Sequence, residues 1–154
     1  MTTATPRLVH ATAIALGPAA ALIRGASGSG KSDLALRCIG MAAGGVAGET
    51  AILVSDDQVV LSRDASGIVV SPPPAIAGRL EVRGLGIVEV AYVDRARLAL
   101  VVDLVAPDVV ERLPPELHCL IDDVRVPVLQ LTPFEASAPL KLLLCLRRVM
   151  QQNP

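Results

Sequence analysis

Eight consecutive residues carry the strongest chemical signal in the chain: Gly25-Ala26-Ser27-Gly28-Ser29-Gly30-Lys31-Ser32, a complete GxxxxGK[ST] pattern. Glycines at these spacings let successive backbone N–H groups turn inward and approach phosphate oxygens without Cβ clashes. A helix that starts at Lys31 adds the positive end of its dipole to the same anion. Lys31 brings a full charge to the β- and γ-phosphates, and the Ser32 hydroxyl is a ligand for Mg²⁺. Two other glycine motifs do not fit. Gly28-Ser29-Gly30 runs into Lys31-Ser32-Asp33 rather than a dinucleotide fingerprint, and Ser27 and Ser29 are out of frame for a nucleophile elbow.

A second constellation is the pair Asp56-Asp57, which closes a short apolar run. At the carboxyl end of a strand, one carboxylate can orient the waters of a metal and the other can take the proton of an attacking hydroxyl. Asp122-Asp123 lies far from any such loop and reads as a solvated turn. His10 precedes the loop strand. Glu81 precedes Val82-Arg83-Gly84-Leu85-Gly86, whose glycines suggest a close backbone approach. His118 beside Cys119 lacks the second ligand pair that a metal site needs.

The elements that must hold these groups are strand-rich. Residues 9–15 and 20–24 read as strands turning at Gly17-Pro18, and 31–43 as a helix stopped by Gly44-Gly45. Residues 51–55 form a short strand ending at the aspartate pair. Residues 59–62 and 68–71 flank a hairpin turn, and Pro72-Pro73-Pro74 marks a loop. Residues 80–83 and 87–90 bracket Gly84-Leu85-Gly86. Residues 98–105 and 124–131 are further strands. A helix over 138–151, with Ser137 as cap and Arg147-Arg148 near its end, completes an α/β domain richer in strand than helix.

Composition bounds the rest. The chain has 154 residues, 52% of them apolar, which suits one folded domain and excludes disorder. Its net charge of −1 offers no basic footprint for nucleic acid or a membrane surface. Tyr92 and Phe134 are its only aromatics, so a base-stacking platform for nucleic acid is excluded and the core must be aliphatic. The N-terminal apolar run is interrupted by His10 and Gly17-Pro18 and feeds the glycine loop, so it reads neither as a signal peptide nor as a membrane span. Cys38, Cys119 and Cys145 are odd in number and widely spaced, which points to reduced thiols in the cytoplasm.

Taken in order, the His10 strand leading to GASGSGKS, LVSDDQV at 53–59 and EVRGLGIVEV at 81–90 resemble the catalytic domain of the HPr kinase/phosphorylase family. A fourth, weaker match surrounds Val110-Glu111-Arg112-Leu113, and the resemblance spans roughly 8–131. It implies a P-loop-containing fold like the nucleotide-binding fold of HPr kinase and PEP carboxykinase, and one catalytic domain over 1–154 without the N-terminal domain of longer members. It implies ATP and Mg²⁺ as cofactors and a serine of the phosphocarrier protein HPr as acceptor. Gly25 to Ser32 would bind the nucleotide, with Lys31 catalytic and Ser32 and Glu81 on the metal. Asp57 would be the proton acceptor, with donation in the reverse, phosphorolytic reaction. His10 and Arg112 would complete the catalytic set, with Asp56, Arg83, Gly84 and Gly86 supporting. A hexamer follows from the same kinship. The family's PxKPGRN-type loop is replaced by Thr132-Pro133-Phe134-Glu135, which leaves phosphorolysis open. The long C-terminal helix that packs on a partner is also short or absent. Two other readings of the loop remain: a kinase for a small alcohol, and a non-catalytic nucleotide-sensing module.

Overall fold

The computed structural model describes residues 5–41, 45 and 47–152. They form eleven strands and two α-helices: β1 Arg7–His10, β2 Thr12–Leu16, β3 Ala19–Arg24, α1 Lys31–Ile39, β4 Ile52–Ser55, β5 Gln58–Asp64, β6 Gly67–Ser71, β7 Arg79–Val82, β8 Gly86–Glu89, β9 Ala96–Leu104, β10 Leu117–Ile121, β11 Val124–Leu131 and α2 Ala138–Gln152. Nine strands form one sheet in the order β1-β5-β6-β9-β3-β2-β4, with the β10–β11 hairpin joined to β9 through β11. The nine-residue β9 is shared at one edge: its start pairs with β6 and its end with β11, while the other edge pairs with β3. β7 and β8 make a separate two-stranded sheet.

β2 and β3 are buried on both faces, which is why both read as continuous apolar runs rather than alternating ones. Their two faces feed different cores. Ile14, Leu16, Ala21 and Ile23 pack with Leu34, Cys38, Leu142 and Leu146 under the helices. Ala13, Ala15, Ala20 and Leu22 face Val59, Leu61, Ile68, Val70, Ile121 and Val126 of the curled sheet. The small side chains at 13, 15 and 20 let the outer strands close over that face without a covering helix. Burial pushes the Cys38 thiol up to about 12, so it is a neutral core group. All three cysteines are free, in keeping with reduced thiols.

β3, β9 and β11 run parallel. β4 shares their direction, because β2 is antiparallel to both β3 and β4. The carboxyl ends of these four strands therefore open on one edge, and the glycine loop, the Asp56-Asp57 pair and the Thr132–Glu135 segment all emerge there. Arg24 and Asp103, paired at the ends of β3 and β9, lock that edge with a bidentate bridge of 2.7 and 3.0 Å, and Asp103 holds the guanidinium above its ordinary range.

The structure departs from the sequence reading at several points. The run 9–15 is two strands, not one. It breaks at Ala11, whose N–H leaves the strand to bond the carbonyl of Asp57 at 3.2 Å. α1 stops at Ile39, where the Gly40 N–H donates to the Leu36 carbonyl and the Met41 N–H to the Cys38 carbonyl, so the helix does not reach Gly45; Gly44 lies outside the described residues. β10 was not expected, because its five residues mix His118 and Cys119 among leucines. α2 runs on to Gln152, which leaves Arg147-Arg148 short of the last turn.

Candidate functional site

The loop 25–30 turns on a bond from Ser29 N–H to the Ala26 carbonyl at 3.0 Å. Its glycines act for different reasons. Gly28 and Gly30 have φ of 79° and 102°, where side chains are strained. A Cβ on Gly25 would collide with Ser29 Oγ, and one on Gly30 would sit 3.0 Å from the Phe134 ring. The Lys31 ammonium bridges the Gly25 and Ala26 carbonyls at 2.8 and 2.9 Å, and the residue is only 6% exposed. A buried cation is thus held at the base of the loop.

The two aspartates point opposite ways because the chain reverses between them. Gln58 N–H bonds the Asp56 carbonyl at 2.8 Å across Asp57, whose φ is 69°: a tight three-residue turn in the strained left-handed region. Asp56, 3% exposed, is driven inward. Its Oδ1 accepts from Ser32 Oγ at 2.7 Å and Thr12 Oγ1 at 2.9 Å, and its Oδ2 from the Glu81 N–H at 3.0 Å. Asp56 therefore ties together the loop helix, β2 and the β7–β8 hairpin. Asp57 is turned outward, and His10 Nε2 lies 3.0 Å from its Oδ1. β1 pairs with β5 so that His10 sits opposite Gln58, the residue after Asp57. The break at Ala11 thus serves the site, releasing His10 from β2 and delivering it to Asp57.

One pocket of about 560 Å³ collects these groups. His10, Ser27, Gly28, Gly30, Lys31, Ser32, Asp57, Glu81 and Arg83 line it. Gly25, Ala26, Ser29 and Asp56 stand behind them as framework. Thr12, Asp33, Leu36, Val82 and Phe134 also line it and were not singled out from sequence. Thr12 had a signal, a lone hydroxyl inside an apolar strand beside His10. Phe134 had only its place in the Thr132–Glu135 segment, and the fold brings its ring to Gly30.

Gly84, Gly86 and Arg112 are not in the lining of this pocket. Gly84 and Gly86 face open space: a Cβ on either would meet nothing of the chain within 4 Å. They are required by φ values of 91° and 97° in the hairpin turn. Arg112 is exposed on the segment between β9 and β10 and does not line the pocket.

A glycine loop between a buried strand and a helix, with an acidic pair beside it, makes this a strand-rich α/β domain whose pocket lies at the carboxyl edge of parallel strands. The chain belongs to the HPr Serine kinase C-terminal domain family, whose sequence model matches residues 2–132. HPr kinase/phosphorylase of Bordetella petrii is 41% identical over 104 residues, covering 60% of this chain and 31% of that protein. The Bordetella pertussis protein of the same name shows the same identity and coverage. The chain thus spans about a third of the length of these curated relatives. The solved structure of the Hpr(Ser) kinase/phosphatase from Coxiella burnetii has the same strand-rich fold. It matches with a TM-score of 0.71 over 95% of this chain and 89% of that one, at 23% identity.

Proposed function

We propose that the chain is a Mg²⁺- and ATP-dependent kinase that phosphorylates a seryl hydroxyl of HPr. The observation that carries this reading is the Asp57 carboxylate, turned outward beside His10 into the same pocket as Lys31 and Ser32. The relatives named HPr kinase/phosphorylase supply the acceptor.

The residues fit the cation. Ser32 and Glu81, a hydroxyl and a carboxylate, line one pocket, and Asp56 behind them accepts from the Ser32 hydroxyl and the Glu81 N–H. Among the described residues no three His, Cys, Asp or Glu side chains form an all-protein cage. Mg²⁺ keeps waters and substrate phosphates in its shell, so it needs only one or two oxygen ligands from the protein. Ser32 and Glu81 would hold it, and when bound it neutralises charge on the β- and γ-phosphate oxygens.

Lys31 and the loop N–H groups grip the β- and γ-phosphates. Asp57 accepts the seryl proton as the serine oxygen attacks the γ-phosphorus and the bond to the bridging β-phosphate oxygen breaks, releasing ADP. His10 Nε2–H, donating to Asp57 Oδ1, fixes that carboxylate's orientation. Arg83 borders the pocket as a further cation for the transferring group. In the phosphorolytic direction an oxygen of inorganic phosphate attacks the phosphorus of phosphoserine, the seryl O–P bond breaks, protonated Asp57 returns the proton to the seryl oxygen, and pyrophosphate leaves. With Thr132–Glu135 in place of the family's Gly-Arg loop, we expect this direction to be the slower one, read as pyrophosphate released from phospho-HPr.

The test is transfer from γ-labelled ATP to purified HPr. The reading predicts label on an HPr serine. ATP bound without any transfer would leave a nucleotide-sensing module, and label moved only to small alcohols would replace the acceptor.

A further inference from the structure

The segment after β11 places an aromatic ring at the phosphate loop. Phe134, the one phenylalanine of the chain, is 70% exposed. It nevertheless lies against Gly30 and lines the pocket shared by Lys31 and Ser32. The segment is pinned on both sides of the ring. Arg37 donates to the Pro133 carbonyl and, at 3.3 Å, to the Glu135 carbonyl, while its Nε bonds Asp33 at 3.0 Å. Lys141 bonds the Glu135 carboxylate at 2.7 Å. An apolar ring is thus held in one place at the mouth of an anion cradle, where burying it against a flat partner is favourable.

Sheet order says which part of a ligand reaches it. From β3, which feeds the phosphate loop, β2 and then β4 lie to one side, and β4 ends at Asp56-Asp57. On the other side lie β9 and then β11, which ends at the Phe134 segment. A triphosphate gripped above β3, with its terminal phosphoryl group toward Asp57, extends its nucleoside toward Phe134. We propose that Phe134 stacks on the base of the bound nucleoside triphosphate. This rests on the nucleotide reading above and adds a binding residue to it. At this end of the pocket Leu36 is apolar and one oxygen of the Asp33 carboxylate is engaged by Arg37. Stacking alone tolerates any base, so purine identity matters little.

The test is equilibrium binding of ATP, GTP and inorganic tripolyphosphate, which has the phosphates without the base, to the wild type, Phe134→Ala and Phe134→Tyr. Phe134→Ala should weaken ATP and GTP alike by about tenfold and leave tripolyphosphate unchanged, and Phe134→Tyr should restore both nucleotides. Equal losses for all three ligands would mean the ring only supports Gly30, and no loss for ATP would mean it touches no base; either overturns the proposal. A wild type that binds tripolyphosphate as tightly as ATP also overturns it while sparing the phosphate cradle. A wild type that binds none of the three removes the nucleotide reading, and this proposal with it.

Discussion

Among the described residues, three non-glycine positions adopt positive φ, and all belong to the two Asp-Asp pairs of the chain: Asp57 at 69°, Asp122 at 46° and Asp123 at 65°. The pairs share a dipeptide and a backbone handedness, yet they do different things. Asp122-Asp123 closes the β10–β11 hairpin between the paired residues Ile121 and Val124, with two successive left-handed residues that match strand twist. Its side chains are poorly used: Asp122 Oδ2 is buried without a hydrogen-bond partner, and Arg7 reaches Oδ1 only at 3.9 Å. Asp56-Asp57 has one left-handed residue and therefore splits its carboxylates, one inward to three donors and one outward to the pocket. A strained aspartate signals function only when something faces its side chain.

The same substitution at both pairs sharpens this contrast. Asp56→Asn sets an amide against donors at both oxygen positions and should cost about 2–3 kcal/mol of stability in urea unfolding. Asp122→Asn should stay within about 0.5 kcal/mol. A comparable loss at both would break the distinction. Thr12→Val, which removes one donor from Asp56, should cost about 1 kcal/mol by the same measurement, with Thr12→Ser restoring most of it. Smallest of all is glycine at the left-handed positions. Asp123→Gly and Asp57→Gly should each raise stability by about 0.5 kcal/mol, but only Asp57→Gly should abolish phosphoryl transfer. A destabilised Asp57→Gly would mean that the turn is not strained.

Much of this was legible in the sequence because local rules wrote it. The loop 25–32, the β5–β6 hairpin, the buried β9 and α2 follow from spacing, turn residues and apolar runs. The acidic pair was legible as a pair, but not which carboxylate faced inward, since that depends on a bond from Gln58 back to Asp56. The break at Ala11 was hidden because a single residue separates β1 from β2, with no glycine or proline to mark it. The end of α1 was misplaced by giving weight to two later glycines over the single Gly40. Thr12 and Phe134 enter the site through sheet pairing and a contact between residues far apart in sequence, which no window along the chain contains. Arg112 came from kinship alone, and the fold leaves it outside the pocket.

Transfer of label from γ-labelled ATP to HPr by Asp57→Asn, with ATP affinity titrated on the same preparation, goes most directly to the chemistry. Asparagine keeps the left-handed turn and removes only the basic oxygen, so transfer should fall by about a thousandfold while ATP binds as before. Transfer at the wild-type rate would show that some other group receives the proton.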